Sequence, residues 1–540
     1  METTFYLCEK PSQARMLAKM LGADKGEDGA FVGNGVIVGN AIGHLLNLAM
    51  PDDYIGDQRW SLDSLPILPQ NWVWKVSDKH RAQYDKIGVW LKKADSVVIA
   101  TDPDEEGEVI GRQIIQAHGY TGKVSRLWAS ALDPSSLDKA LKNLLPLSAT
   151  DSYYHAGRVR RELDWLYGMN LSRAFSVIFD RTTHVGRVKT RLLKELVQRD
   201  REISQFAPKE YNTAFVKIGD ALLEWQPGVG VIHDRNALAS LLDVRCGTCI
   251  SSELVEEALP PPLPFTLSAL LAQAADMGIP LADGYAAAQS LYDAGAISYP
   301  RAGSTALPGS GGFAAHHAIV NTMDSCPSWM PCDAQAVFNM VRLNGVLQDI
   351  GPATLTVRRL MFDVGGELFA ATDRWVDPNR AAWLHCVPER FDLLTHNRKE
   401  SVFAVGEQVP AKVQVERKVT VSPERYTEAS MLRMMETIGI GTEATRVEAI
   451  SSLVRERVAD VSEQFDERGT ALRKSLILGS TGTGRGLIGR LPDSVTGQAM
   501  EQQLNKALAS VRGGQSDFSV HLINATKWIA HTIHAGAENI

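Results

Sequence analysis

A short stretch near position 100 constrains the fold of this chain more than any other. Residues 97–100 form an apolar and mostly β-branched block, which is typical of a strand buried on both faces of a parallel sheet. A helix-like pattern begins at Val109, and the acids between the two blocks include Asp102, Asp104, Glu106 and Glu108. The sequence therefore predicts an α/β domain with carboxylates at the carboxyl end of a strand, the edge where such sheets bind ligands.

Carboxylates this close together repel one another unless a cation or a proton compensates them. A cluster of oxygen ligands suits Mg²⁺, which usually takes one or two carboxylates and keeps several waters. The alternative is a solvated acidic loop, because Asp and Glu are also favoured at the N-terminus of the following helix. The buried strand directly before the acids favours the metal site.

Length and composition indicate an ordinary globular protein of several domains. The chain has 540 residues, of which 44% are hydrophobic and 22% charged, and roughly three to four domains are expected for this size. No apolar run reaches the roughly 18 residues of a membrane span. Of six cysteines, only Cys246 and Cys249 have ligand-like spacing, without a second pair. Reduced thiols in a cytoplasmic protein are therefore expected.

The chain has a negative net charge, but one segment is rich in basic residues. A net charge of −7 argues against a general nucleic-acid binder. The segment 158–201 nevertheless predicts a basic patch, although a solvated helical face is the alternative. Its cationic residues include Arg158, Arg160, Arg161, Arg173, Arg181, Arg187, Lys189, Arg191 and Lys194.

The order of elements suggests that later segments return to earlier domains. The first 150 residues read as α/β, beginning with a strand over Thr4–Cys8 that ends at Glu9. Glu9 can meet the acids after residue 100 only if the two strands are neighbours, as parallel sheets allow. Helical, β and helical patterns then alternate, and the segment after residue 421 reads as helical with a Gly- and Thr-rich turn at residues 479–489.

Three further motifs are candidates for chemistry. Tyr299 needs a nearby cation to attack at neutral pH, which Arg301 can supply, although a structural tyrosine is the alternative. The pair His316 and His317 can carry protons or do nothing. Residues 439–446 predict a glycine-containing turn that leads into a helix, and the N-terminus of this helix is a candidate anion-binding site. A plain N-cap explains Thr442 equally well.

Taken together, these motifs occur in the order found in type IA DNA topoisomerases. The chain resembles that family from about residue 4 to residue 530, and its motifs are most similar to those of the bacterial topoisomerase III group. The sequences that carry the resemblance are Glu-Lys-Pro-Ser at 9–12, Thr-Asp-Pro-Asp-x-Glu-Gly-Glu at 101–108, Asp-Trp-Leu-x-Gly-x-Asn at 164–170, Gly-Arg-Val at 186–188, Ile-Ser-Tyr-Pro-Arg at 297–301, His-His-Ala-Ile at 316–319 and the turn at 439–446.

The resemblance implies an ATP-independent enzyme that cuts one DNA strand through a 5′-phosphotyrosine, passes a strand and reseals the break. It assigns Tyr299 as the nucleophile and Arg301 as its support, with Glu9, Lys10 and His316 as further catalytic residues. It places Mg²⁺ on Glu9, Asp102, Asp104 and Glu106. The residues that it assigns to DNA binding are Arg160, Arg161, Asp164, Arg187, Lys189, Thr190, Thr442 and Arg446. Trp165 and Tyr167 are candidate base-stacking platforms, although core packing of at least one of them is the favoured alternative.

The resemblance also implies a multidomain fold of α/β, α and β parts, a toroid of four domains. These are a Toprim domain at 1–150, a helical base at 151–205 and 424–540, a β-rich arch at 206–264 and 352–423, and a helical domain with the tyrosine at 265–351. The expected partners are single-stranded DNA and negatively supercoiled or catenated DNA, with a helicase as a candidate partner and a monomer as the working state.

Some positions depart from the family pattern. Glu105 stands where the family has Arg, Ala302 and Gly303 replace Thr-Asp, and the stretch from Gln226 to Asn236 is short where topoisomerase III carries its decatenation loop. These departures motivate a second hypothesis, a catalytically weakened single-strand DNA-binding protein on the same scaffold. A third is another Toprim enzyme, such as a primase or nuclease, but the Tyr299 motif does not belong there. If Glu105 disturbs the metal, Glu105→Arg should raise relaxation activity.

Overall fold

The computed structural model describes residues 2–57, 59–227, 238, 240–308, 317–387, 393–394, 401–465 and 474–538. The chain divides into two compact units. The first consists of Met1–Asp200, Phe265–Val341 and Arg425–Ile540, and the second of Arg201–Pro264 and Arg342–Glu424. Both units are therefore built from segments that are distant in sequence.

The helices of the described ranges are numbered in chain order. They are α1 (Pro11–Leu21), α2 (Asp52–Ile55), α3 (Arg81–Leu91), α4 (Glu105–Ala117), α5 (Pro134–Lys142), α6 (Asp151–Ile178), α7 (Arg187–Ser204), α8 (Leu267–Asp276), α9 (Leu281–Asp293), α10 (Cys332–Ile350), α11 (Glu428–Thr437), α12 (Glu443–Arg455), α13 (Gly482–Arg490), α14 (Asp493–Thr496), α15 (Ala499–Arg512) and α16 (Ser519–Glu538). None of these helices is both long and apolar enough to cross a membrane.

The strands of the same ranges are also numbered in chain order. They are β1 (Thr4–Cys8), β2 (Lys25–Glu27), β3 (Ala30–Gly33), β4 (Val36–Asn40), β5 (Leu46–Leu48), β6 (Trp74–Val76), β7 (Ser96–Ala100), β8 (Lys123–Arg126), β9 (Leu145–Pro146), β10 (Glu210–Ile218), β11 (Ala221–Trp225), β12 (Cys246–Leu259), β13 (Ala353–Val364), β14 (Glu367–Trp375), β15 (Gln408–Pro410), β16 (Lys412–Val419), β17 (Ala459–Phe465) and β18 (Lys474–Ser480).

The sheet that positions the acids lies in the first unit and has the order β2-β3-β4-β1-β7-β8-β9. Its central strands β4, β1, β7 and β8 are parallel, and its edge strands are antiparallel. Cys8 pairs with Ala100, so β1 and β7 end side by side. The predicted pairing of the opening strand with the strand before the acids is confirmed.

Both faces of the central strands are buried, as the β-branched block predicts. On one face, Phe5 and Ile99 pack with Ile110 of α4. On the other face, Cys8 and Ala100 pack against the side of α1 that carries Leu17. The alternation of side chains along each strand sends successive residues to opposite cores, so both β1 and β7 are held from two sides up to their last residue.

The second unit contains an antiparallel sheet of order β15-β12-β13-β14-β11-β10-β16. Its strands come from the two segments that the sequence predicts to be β-rich, and β10 pairs with β16 across the long gap between them. One face of this sheet is buried by residues such as Val216, Leu223, Phe362 and Phe369. The predicted mixture of α/β, helical and β-rich parts is confirmed.

The prediction of a helical segment with a Gly- and Thr-rich turn after residue 421 is wrong in two places. Strands β17 and β18 form an antiparallel hairpin, and the predicted Gly- and Thr-rich turn is mostly helix α13. The hydroxyl of Thr481 caps this helix by accepting a hydrogen bond from the backbone N–H of Gly484, at 3.1 Å. A Cβ at Gly484 would lie 2.2 Å from the carbonyl oxygen of Val458, so this glycine serves close packing rather than a turn.

Candidate active site

The predicted acids meet because two parallel neighbours end together. Glu9 follows β1, whereas Asp102 and Asp104 follow β7. The backbone N–H of Asp102 donates a hydrogen bond to Glu9 Oε2 at 3.2 Å. Lys10 Nζ lies 3.0 Å from Asp102 Oδ2 and 4.0 Å from Glu9. The turn after each strand thus contributes to one charged cluster.

The acidic loop passes into helix α4 through a tight cap. Asp104 Oδ1 accepts a hydrogen bond from the backbone N–H of Gly107 at 2.6 Å, an N-cap arrangement. A Cβ at position 107 would lie 2.1 Å from the carbonyl oxygen of Asp102. The chain can fold back this closely only because residue 107 is glycine. The cap also fixes the direction in which Glu106 leaves the first turn.

A buried arginine supports the acidic loop from beneath. Arg126, at the end of β8, is fully buried, and its guanidinium donates hydrogen bonds to the carbonyl oxygens of Thr101 at 2.9 Å and Asp102 at 2.7 Å. The same guanidinium pairs with Glu108 at 2.5 Å, and Arg112 pairs with Glu108 at 2.8 Å. The carboxylate of Glu108 is therefore taken up by ion pairs with two buried arginines, Arg112 and Arg126.

Tyr299 and Arg301 reach the same cluster from the loop after α9. The hydroxyl of Tyr299 donates to Asp104 Oδ2 at 2.5 Å, across 195 positions of sequence. Arg301 Nη1 lies 3.3 Å from Glu106 and 3.9 Å from Asp104. The backbone N–H of Tyr299 donates to the carbonyl oxygen of Ser130 at 2.9 Å. The structure thus brings a phenol, a guanidinium and the acids together.

The electrostatics of the cluster reflect crowding of negative charge in a buried place. Burial, together with the charge of Asp102, raises the pKa of Glu9 well above its ordinary value. Burial also raises the pKa of Asp104. The hydrogen bond from His44 lowers the pKa of Glu106 to about 2. Burial and the charges of the two Asp residues raise the pKa of Tyr299 well above its ordinary value, so the phenol is protonated at neutral pH.

The chemistry of this donor set suits a hard divalent cation. All candidate donors are carboxylate oxygens, and burial followed by the charges of neighbouring acids raises the pKa values of Glu9 and Asp104, an effect that a bound cation would oppose. In the arrangement seen here the oxygens instead face Lys10, Tyr299 and Arg301. Across the described ranges, no group of three or more acidic, histidine or cysteine side chains is arranged to hold a metal ion.

Sequence reasoning missed three residues that contact the acids. His44 Nε2 lies 3.0 Å from Glu106 Oε1. Gln13 donates to Asp102 and is 4% exposed, and the hydroxyl of Tyr292 lies 3.5 Å from Asp102 Oδ1. His44 follows β4, the other parallel neighbour of β1, so the rule that ligands bind at strand ends would have found it. Gln13 and Tyr292 lie inside helices and carried no such signal.

Comparison with known proteins identifies the family. A DNA topoisomerase family model matches residues 148–314 and 308–518, and a Toprim domain model matches residues 4–132. The chain belongs to the type IA DNA topoisomerase family. It is 28% identical to DNA topoisomerase 3 of Vibrio cholerae, over 92% of this chain and 88% of that protein.

Further relatives agree with this assignment. DNA topoisomerase 3 of Haemophilus influenzae is 25% identical to the chain over 96% of it and 92% of the relative. The structure of full-length topoisomerase I from Thermotoga maritima has a TM-score of 0.73 and 21% identity, and covers 98% of this chain and 90% of that one. The fold of the topoisomerase is therefore shared with that structure.

The predicted basic patch of the topoisomerase does not form a surface of unpaired cations, because most of its cations face acids. Arg160 pairs with Glu105 at 3.0 Å, and Lys189 pairs with Glu456 at 2.6 Å. Further ion pairs of these cations are Arg158 with Glu162, Arg173 with Asp52, Arg187 with Asp164 and Glu501, Arg191 with Glu195, and Lys194 with Asp493.

Two other predicted DNA-binding residues on this segment have protein partners as well. Arg161 contacts the ring of His44, at 2.7 Å from Nε2, and lies over the ring of Trp74. Thr190 is buried, and its hydroxyl accepts from the backbone N–H of Gly186 at 3.0 Å. These side chains can contact DNA only after their contacts within the protein break.

The remaining predicted residues fall into three groups. Arg446 is buried and pairs with Glu443 at 2.6 Å, while Thr442 caps helix α12 with Thr445. Trp165 and Tyr167 are buried in a core cluster, so neither is a stacking platform in this arrangement. His316 and residues 228–236 of the predicted decatenation stretch lie outside the described residues.

Proposed function

We propose that this topoisomerase cleaves one DNA strand by attack of the Tyr299 hydroxyl oxygen on a backbone phosphorus. A bond forms between that oxygen and phosphorus, the bond from phosphorus to the 3′-oxygen breaks, and the 5′-phosphate stays on the tyrosine. Religation reverses both changes, so no ATP is consumed. The observation that carries the proposal is the convergence of the Tyr299 phenol with the acidic cluster and Arg301.

Each nearby side chain has a role that its environment supports. The guanidinium of Arg301 stabilises the negative charge that develops on the phenolic oxygen and on the phosphate. The Asp104 oxygen that accepts the phenolic hydrogen bond is the nearest acceptor for the proton. Burial raises the pKa of Glu9 well above its ordinary value and so favours its protonated form, which makes this carboxyl the proposed source of the proton for the leaving 3′-oxygen. We propose that Lys10, whose ammonium group pairs with Asp102 here, contacts the scissile phosphate, and His316 is kept as a further proposed catalytic residue.

We assign the magnesium site to Asp102, Asp104 and Glu106, with Glu9 beside them. A bound Mg²⁺ would neutralise charge on the phosphate oxygens and on the acids around it. In the arrangement seen here one oxygen of Asp104 accepts the hydrogen bond of the Tyr299 hydroxyl, so this carboxylate would serve both the proposed ion and the proposed nucleophile.

The substrate is proposed to be single-stranded DNA within negatively supercoiled or catenated molecules, with the protein acting as a monomer in the cytoplasm and a helicase as candidate partner. Arg160, Arg161, Asp164, Arg187, Lys189, Thr190, Thr442 and Arg446 are proposed DNA contacts, made after their contacts within the protein open. The division into Toprim, base, arch and tyrosine domains is kept as part of this proposal. The comparisons support the enzyme and not the weakened DNA-binding alternative.

The test is incubation with end-labelled single-stranded DNA and Mg²⁺, followed by denaturation. A covalent protein–DNA adduct is expected from the parent chain and is expected to be lost in Tyr299→Phe. The matched control is Tyr167→Phe, which also removes the hydroxyl of a buried tyrosine but in a separate core cluster. An adduct that persists in Tyr299→Phe refutes the assignment of the nucleophile, and DNA binding by the parent without any adduct refutes the proposed reaction.

A further inference from the structure

We propose that Gln13 is a positioning residue that fixes Glu9 and Lys10 against Asp102. The catalytic part of this inference rests on the proposed function. Gln13 lies in the first turn of α1 and is 4% exposed. It belongs to none of the acidic or basic groups that carry out the proposed reaction, and it connects the ends of two strands.

The contacts of Gln13 use both ends of its amide. Its Oε1 atom accepts hydrogen bonds from the backbone N–H groups of Glu9 and Lys10, both at 3.1 Å. Its Nε2 atom donates to Asp102 Oδ1. The other oxygen of Asp102 accepts from Lys10 Nζ at 3.0 Å. One side chain therefore joins the turn after β1 to the acidic loop after β7.

These contacts fix the geometry of two proposed reacting groups. The backbone N–H groups of residues 9 and 10 precede the helix and have no partner in its own hydrogen-bond ladder, so the amide oxygen supplies one. The amide nitrogen holds the Asp102 carboxylate at the same time. A shift of about 1 Å in such groups can cost on the order of a hundredfold in rate. Loss of Gln13 should therefore slow the chemical step more than it weakens DNA binding.

Two substitutions test the two ends of the Gln13 amide separately. Gln13→Met keeps the length of the side chain and removes both kinds of hydrogen bond. Gln13→Glu keeps the acceptor for the two N–H groups but places a carboxylate against Asp102. The matched control is Gln113→Met on α4, because Gln113 is 7% exposed and donates to the hydroxyl of Tyr154 at 3.0 Å, away from the acids.

The experiment measures three quantities on the full chain. They are the single-turnover cleavage rate with saturating enzyme and Mg²⁺, the dissociation constant for the same single-stranded oligonucleotide, and amide hydrogen exchange in the peptide that contains residues 9 and 10. For Gln13→Met we expect a cleavage rate reduced about 10- to 100-fold, a dissociation constant within about twofold of the parent, and faster exchange. For Gln13→Glu we expect the rate loss without the faster exchange.

A purely structural role predicts a different pattern. Gln113→Met would then reduce the cleavage rate as much as Gln13→Met, and either that result or an unchanged rate in Gln13→Met would overturn the inference. If the parent chain forms no adduct, the proposed reaction fails. Hydrogen exchange then still tests whether Gln13 positions residues 9 and 10. Unchanged exchange in Gln13→Met would refute the positioning role, and faster exchange confined to that variant would support it.

Discussion

Replacement of Glu105 by arginine tests how the acidic loop is held. The carboxylate of Glu105 accepts hydrogen bonds from Arg160 Nε at 3.2 Å and Nη2 at 3.0 Å. A Cβ at Gly157 would lie 2.5 Å from the carbonyl oxygen of Glu105, so α6 approaches α4 closely at this point. In Glu105→Arg, a second guanidinium faces Arg160. We expect lower stability and lower activity, contrary to the hypothesis drawn from the sequence.

The magnitude follows from the distance and the exposure of the two groups. Two unit charges about 3 Å apart interact by about 5 kcal/mol at an effective dielectric of about 20. The Arg160 and Glu105 side chains are 19% and 29% exposed, so water screens part of this energy, and fully exposed pairs give about 1 kcal/mol or less. We therefore expect the free energy of unfolding to fall by about 1–2 kcal/mol when the ion pair is lost and by about 2–3 kcal/mol when two like charges replace it.

The assay is a double-mutant cycle of Glu105→Arg, Arg160→Glu and the double variant, followed by urea unfolding and by relaxation of a negatively supercoiled plasmid. Each single variant should lose stability, and the double variant should recover more than half of the loss. Asp138→Arg is the control, because Asp138 pairs with Lys142 on an exposed surface, and its cost should be below about 1 kcal/mol. Additive losses, or faster relaxation by Glu105→Arg, would refute the reasoning.

Three further predictions address the loop, the core and the metal. Gly107→Ala forces the start of α4 away from the Asp102 carbonyl, so the rate of adduct formation should fall about a hundredfold or more, and a rate within tenfold of the parent would contradict this. Trp165→Phe removes a hydrogen bond to the Ala49 carbonyl at 2.9 Å, which should lower the free energy of unfolding by about 1–2 kcal/mol. The affinity for single-stranded DNA should stay within about twofold of the parent, and a larger drop in affinity would indicate that Trp165 stacks on DNA bases. Chelation of Mg²⁺ should stop relaxation, and Mg²⁺ should raise the thermal midpoint of the parent but not of Asp104→Asn, whereas equal shifts in both would place the ion elsewhere.

The sequence predicts those parts of the site that local chemistry determines. The apolar block before Asp102 fixes a buried strand, and the acids after it can only lie at the carboxyl end of that strand. Glu9 joins them because β1 and β7 are parallel neighbours. The resemblance to topoisomerases added Tyr299 and Arg301, which the spacing of residues alone does not bring to the acids.

The remainder could not be predicted because it depends on partners that are distant in sequence. Lys189 faces Glu456 across 267 positions, so no local pattern reveals that this cation is neutralised. Trp165 looks like a stacking platform beside basic residues, but its place in the core depends on packing with Tyr54 and Trp72. The glycines of helix α13 are typical of a turn, and the close packing of Gly484 against the Val458 carbonyl, which is distant in sequence, has no local signal.

Arg126 has a consequence for engineering. Because its guanidinium binds the carbonyl groups of the acidic loop from the protein interior, the shape of the loop depends on a buried cation that lies outside the loop itself. Transplanting residues 101–108 into another scaffold would transfer the acids but not the cation that orders their backbone. A graft that includes position 126 and its strand is the smallest unit expected to retain the shape of the loop.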